Sequence, residues 1–163
     1  MSIFRVFPGD NPIENLYDRI NYVIRPDAAR LAFIYGAWVS PIFTYEQMVW
    51  AKEIFDQMDG KTFYHCLFNP EDDESYSEES YFYFSVEVAE ILSAFVERKQ
   101  VLMAIHFDEP PGLHTHFIMS NTGIETGVRF DLGRTQLREL KQQISATAVR
   151  YGLSQLRQKQ WMS

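Results

Sequence analysis

With 163 residues, 46% of them hydrophobic and 13 Phe, 9 Tyr and 3 Trp among them, the chain can bury one core without disulfides, and a disordered polar chain is excluded. No apolar run approaches the roughly 20 residues of a membrane helix, the start lacks a sustained apolar stretch, and Cys66 has no second cysteine to pair with; a soluble, cytoplasmic, single-domain protein over residues 1–163 is expected. The net charge of −7 argues against a polyanionic partner, but it is uneven: Met1 to Glu125 holds 8 Lys and Arg against 20 Asp and Glu, and Thr126 to Ser163 holds 7 against 2.

Ile3 to Phe7 is predicted as an edge strand. Asn11-Pro12-Ile13-Glu14 combines an Asn N-cap, Pro at the first helical position and a Glu three residues after the cap, and it opens a helix over about 12–24. Ile13, Tyr17, Ile20 and Ile24 recur there at helical spacing, with Leu16 and Val23 beside them, so one face is buried. Leu31 to Val39 reads as a strand ended by Ser40-Pro41, and Thr44 with Gln47 opens a second helix that runs to about Asp59, stopped by Gly60. Its apolar face is Met48, Ala51, Phe55 and Met58. A strand over about 62–68 follows, then the acidic surface connection Glu71-Asp72-Asp73-Glu74.

From Ser77 to Arg98, Tyr81, Phe84, Val88, Ile91, Leu92 and Phe95 mark a long amphipathic helix. Val101 to Phe107 and Leu113 to Met119 are two strands around the turn formers Asp108-Glu109-Pro110-Pro111-Gly112, and so a hairpin. A short strand at Val128 to Leu132 precedes a last helix from Thr135 to Tyr151, with Leu137, Leu140, Ile144, Ala148 and Tyr151 on one face and Gly152 as its stop. The order fits an α+β domain, a central antiparallel sheet of about five strands packed by helices.

The 4 histidines, His65, His106, His114 and His116, all fall in or beside predicted strands. Side chains alternate across a strand, so His114 and His116 share a face with only Thr115 between them. With a hairpin partner alongside, His106 lies opposite. Three neutral imidazoles then converge with coordination positions left open, which suits a catalytic divalent metal better than a four-ligand structural zinc. The alternative is a set of hydrogen-bonded core or surface histidines. Asp108, two residues after His106, reads either as an acceptor that fixes an imidazole tautomer or as a turn carboxylate. His65 either lines the same cleft or is a core histidine. The basic residues Arg134, Arg138, Lys141 and Arg150 of the last helix read, by themselves, as a solvated face.

Ala104-Ile105-His106-Phe107-Asp108, then Leu113-His114-Thr115-His116-Phe117-Ile118, then Thr126-Gly127 resemble the third motif of the relaxase/mobilisation nuclease family, within the HUH endonuclease superfamily. Asn21-Tyr22-Val23-Ile24, Phe63-Tyr64-His65 and Tyr151-Gly152-Leu153-Ser154 are similar to further family segments, so the resemblance covers nearly the whole chain. It implies an HUH-nuclease fold with a ferredoxin-like palm. It also implies a metal-dependent strand transferase that nicks single-stranded DNA at a plasmid or integrative-element transfer origin, through a 5′-phosphotyrosyl intermediate.

In that reading His106, His114 and His116 hold a divalent metal, Mn or Mg, with Zn or Ni as alternatives. Tyr22 is the nucleophile and Asp108 assists at the site. Arg129, Arg134, Arg138 and Lys141 contact DNA, and relaxosome accessory proteins are further partners. Helix geometry supports Tyr22: at about 100° per residue it lies about 180° from Ile13, off the apolar stripe, whereas Tyr17 lies on the stripe and is expected in the core. Pro26-Asp27-Ala28-Ala29 stands where the family has a basic stretch, and Ser120 stands where an Asn is common. Two other expectations therefore stand beside the nuclease: a non-catalytic relaxase-like protein that binds origin DNA or relaxosome components, and a three-histidine metalloenzyme acting on a small molecule.

Overall fold

In the computed structural model, residues 1–71, 75–108 and 112–157 are described. The middle of the acidic connection and the centre of the turn after Asp108 lie outside them. The elements are β1 (Ile3–Val6), a short 3-10 turn (Ile13–Asn15), α1 (Leu16–Val23), β2 (Ala29–Ala37), α2 (Thr44–Ile54), β3 (Phe63–Asn69), α3 (Glu78–Ala94), β4 (Val101–His106), β5 (His114–Ser120) and α4 (Arg134–Arg150). The strands form one five-stranded sheet in the order β1-β3-β5-β4-β2, antiparallel at every pairing. The α+β expectation and the β4–β5 hairpin are both met.

Each face of the sheet has its own core. On one side Cys66, Phe68, Val101, Met103, Ile105, Phe117 and Met119 pack under Phe84, Val88 and Leu92 of α3 and Leu140, Ile144 and Ala148 of α4. On the other, Phe63, Leu102, Ala104 and Ile118 pack under Leu16, Ile20 and Val23 of α1 and Met48 of α2. Strand alternation then fixes where the histidines go. His65 pairs with Ile118, His116 with Ala104 and Leu67, and His106 with His114, so all four lie on the α1 side. Among the described residues no helix is long and apolar enough to cross a membrane.

Five expectations need correction. Asn11 is not a helix cap: it holds φ +45°, and its Nδ2 donates to the Phe63 carbonyl at 3.1 Å, stitching the start of this region to β3. Tyr17 is not core. The first turn is a 3-10 turn with three residues per turn, so a phase counted from Ile13 at 3.6 residues per turn drifts. The buried stripe is Leu16, Ile20 and Val23, and Tyr17 is exposed, its ring edge-on to Tyr45 at 5.2 Å. α2 ends at Ile54, before the expected Asp59, because Asp56 adopts φ +55° and the Gln57 N–H turns back to the Lys52 carbonyl.

The segment expected as a strand at 128–132 is not part of the sheet. It makes one isolated bridge, Thr122 with Arg129, and Phe130 N–H donates to the Asn121 carbonyl at 2.7 Å. α3 stops four residues short of Arg98. Val96 takes φ +64° and the buried Lys99 ammonium donates to the Phe95 and Glu97 carbonyls, satisfying acceptors that the helix end leaves open.

Candidate functional site

β4 and β5 deliver three imidazoles to one point. One ring nitrogen from each of His106, His114 and His116 lies within 4.8 Å of the others, and all three residues are buried. The rings are close: 4.1 Å between the centroids of His106 and His116, 5.3 Å for His106 and His114, and 5.2 Å for His114 and His116. His106 Nε2 is 2.7 Å from the Val23 carbonyl, where it donates to the last turn of α1. That bond occupies Nε2 and leaves Nδ1 as the nitrogen free to ligate. His106 Nδ1 is buried and has no hydrogen-bond partner. A buried orphan acceptor is costly in a native fold, and a cation is what a bare imidazole nitrogen beside two other imidazoles would take. The donor set fits a divalent metal.

His65 joins from β3. Its Nε2 lies 2.7 Å from His116 Nδ1, and its Nδ1 lies 3.2 Å from Arg19 Nη1. Burial keeps these rings neutral: it pushes the His116 pKa down to about 2, helped by the neighbouring His106 and His65, and the His65 pKa down to about 3, helped by Arg19. Burial also lowers the pKa of His106, partly opposed by its bond to Val23. Neutral imidazoles are the ligand form, so burial favours at His106 and His116 the charge state that a metal needs.

Tyr22 stands at the rim of this cluster, half exposed, with its ring centroid 6.0 Å from that of His116, 6.2 Å from His106 and 6.4 Å from His65. Arg25 stacks over the Tyr22 ring at 4.2 Å and donates to the Tyr22 carbonyl at 2.8 Å. The same guanidinium pairs with Asp108 at 2.8 Å and Asp27 at 3.5 Å. Asp108 therefore does not set the His106 tautomer: its nearer oxygen is 4.0 Å from His106 Nδ1, and Val23 holds the other nitrogen. An open cavity of about 370 Å³, lined by Phe7, Pro8, Arg19, Tyr22, His65 and His116, lies against the cluster.

The four basic residues expected to contact DNA are elsewhere. Arg134 and Arg138 are exposed on α4, and Lys141 of the same helix is buried; α4 covers the face of the sheet opposite the histidines. Lys141 is thus no solvated cation. Arg129 lies beyond the far end of β5 and bonds Gln57 and the Asp59 carbonyl. The cations that do flank the cluster, Arg19 and Arg25, were missed, although a signal was present. Arg19 and Tyr22 are i, i+3 neighbours on α1, and Arg25 follows three residues later, just past the end of the helix.

A family model described as relaxase, MobA/VirD2-like, nuclease domain matches residues 22–153, which takes in Tyr22 and all three clustered histidines. A solved structure described as the molecular basis of vancomycin resistance transfer in Staphylococcus aureus is similar in fold, with a TM-score of 0.52 at 13% identity, over 72% of this chain and 68% of that one. No curated protein matches by sequence. The relaxase family is metal-dependent, and the three-histidine cluster is consistent with that. On the length of the family match, the chain belongs to the MobA/VirD2-like relaxase nuclease domains.

Proposed function

We propose that the protein is a metal-dependent DNA strand transferase that nicks single-stranded DNA at a transfer origin of a plasmid or integrative element, with Tyr22 as nucleophile. The observation that carries the reading is the convergence of His106, His114 and His116 beside an exposed tyrosine, inside a relaxase family match. These three residues would hold the ion, Mn or Mg by the family's habit, with Zn or Ni as alternatives. When bound, the ion supplies positive charge to a non-bridging oxygen of the scissile phosphate.

The rest is done by the chain. The bond from His106 to Val23 ties the end of α1 to β4, so nucleophile and histidines are held as one unit. Arg25, stacked on Tyr22 and anchored by Asp108, restricts the ring. The phenol proton leaves to solvent. The Tyr22 oxygen attacks phosphorus, the bond from phosphorus to the 3′ oxygen breaks, and that oxygen takes a proton from solvent. The 5′ phosphate stays on Tyr22 and the DNA keeps a free 3′-hydroxyl, so the reverse step can rejoin the strand. Arg134 and Arg138 would meet phosphates of flanking DNA on the far side of the sheet.

One observation favours a second reading. Arg25 is neutralised by Asp27 and Asp108, and the segment after it lacks the family's basic stretch, which suits a relaxase-like protein that binds origin DNA or relaxosome proteins without cutting. Incubating a labelled library of single-stranded origin sequences with the protein and Mn separates the two. Cleavage that EDTA abolishes supports the transferase; retention of DNA without cleavage supports the binding protein.

A further inference from the structure

Arg19, His65 and His116 form a hydrogen-bonded chain whose donors and acceptors can be assigned from the heavy atoms. A guanidinium has only N–H donors, so the approach of Arg19 Nη1 to His65 Nδ1 at 3.2 Å makes that nitrogen an acceptor. A neutral imidazole carries one proton. That of His65 must then be on Nε2, where it donates across 2.7 Å to His116 Nδ1. His116 is left with its own proton on Nε2, its one remaining nitrogen. With Arg19 seated, His116 is therefore in the tautomer that cannot ligate.

His106 differs, since its Nε2 proton goes to the Val23 carbonyl and its bare Nδ1 is buried without a hydrogen-bond partner. For His116 to ligate, its proton must sit on Nδ1 and donate to His65 Nε2. The His65 proton must then move to Nδ1, where it would face the N–H groups of Arg19. Two donors repel, so Arg19 has to leave. No proton is gained or lost in the exchange; each ring keeps one.

Arg19 has somewhere to go. It lines the open cavity shared by Phe7, Pro8, Tyr22, His65 and His116. An anionic phosphate oxygen there would attract a guanidinium more strongly than a neutral imidazole does, and it can be gripped by two N–H groups at once. We propose that Arg19 couples ion binding to nucleic-acid binding: on His65 it holds His116 in the non-ligating tautomer, and a DNA phosphate in the cavity draws it away, so phosphate and divalent ion favour each other. The phosphate donor's identity rests on the relaxase reading; the coupling rests on the three hydrogen-bonded side chains. Arg19 is a positioning residue, acting on the ion through His65.

Removing a positive charge beside a cation site tightens ion binding for simple electrostatic reasons, so a single variant is not enough. The test is a double-mutant cycle read by calorimetric titration of Zn into metal-free protein. Arg19→Gln should tighten Zn binding by about fivefold or more in the wild-type background. It should tighten binding by much less in a His65→Gln background, where an amide oxygen can accept from Arg19 and from His116 Nδ1–H at once. An equal gain in both backgrounds reduces Arg19 to a bystander charge and overturns the coupling.

A second readout needs no variant. Nitrogen-15 spectra of the histidine rings of metal-free wild type should show Nε2–H on both His65 and His116, changing to Nδ1–H on both when Zn is added. Nδ1–H on His116 before any metal is added overturns the proposal. A short mixed-sequence single strand should tighten Zn binding to wild type by more than it tightens binding to Arg19→Gln. Should these signatures appear in a protein that never cleaves DNA, the nuclease reading fails and the coupling stands.

Discussion

Replacing His116 by Ala tests the metal centre at its most connected member. His116 is 5% exposed, its centroid lies 4.1, 5.2 and 5.0 Å from those of His106, His114 and His65, and one of its nitrogens is already bonded to His65. The substitution takes away one of three ligands. Loss of a hydrogen-bonding partner that merely supports a ligand costs about 10- to 100-fold in metal affinity, so loss of the ligand itself should cost at least about tenfold, or about 1.4 kcal/mol. It also leaves His65 Nε2 without its buried partner, which should cost the metal-free fold about 1–3 kcal/mol. His114→Ala should show the affinity loss without that second effect on His65. Calorimetric titration with Zn and with Mn gives the affinities, Mn being the weaker in each variant, and thermal melts monitored by circular dichroism give the stabilities. Unchanged metal affinity in both variants would rule out a metal site at these histidines.

Metal-free protein should lose stability as pH falls. The folded pKa values of His65 and His116 are depressed to about 3 and about 2, so from about 6.5 downward the unfolded chain takes up protons that the fold refuses, at about 1.4 kcal/mol per pH unit for each group, and His65→Gln should flatten this slope in urea titrations. Lys52 works at the alkaline side: fully buried, with Nζ 2.9 Å from both Asn121 Oδ1 and Thr122 Oγ1, its pKa is lowered to about 7 by burial, so stability should rise between about pH 7 and 10, and Lys52→Met should lose that rise. Reversing Arg134 and Arg138 to Glu should weaken DNA binding across all sequences and flatten its salt dependence, by a log-log slope of about 0.7 for each phosphate that is no longer neutralised; unchanged binding would make them a solvated face.

What could be read from the chain and what could not divides along physical lines. The five strands of the sheet and the hairpin follow from apolar runs between turn formers, although the run at 128–132 stayed outside the sheet; the shared face of His114 and His116 follows from strand alternation, and His106 falls opposite His114 as a hairpin requires. Helix phase was less secure. One 3-10 turn moved the buried stripe from Tyr17 to Leu16, and left-handed residues at Asp56 and Val96 ended two helices that apolar spacing would have continued. Lys141 reads as a surface cation, and its burial, like that of Lys52, among distant partners is invisible to local pattern. Where the basic C-terminal part would sit was not legible, since charge along a sequence does not say which face of a sheet will carry it. The flanking arginines, Arg19 and Arg25, were hidden because they lie in the acidic part of the chain.

The central claim is that Tyr22 attacks DNA beside the histidine cluster, and a denaturing gel of the protein mixed with labelled single-stranded origin DNA and Mn tests it directly. Wild type should give a shifted protein band, the phosphotyrosyl adduct. Tyr22→Phe should give none while keeping its fold and metal affinity, since one hydroxyl is deleted from a half-exposed ring. Tyr17→Phe should behave as wild type, its ring being exposed and packed on Tyr45 away from the site. An adduct that survives in Tyr22→Phe would place the nucleophile elsewhere, and no adduct in wild type across a broad library of origin sequences would contradict the transferase and leave the binding protein.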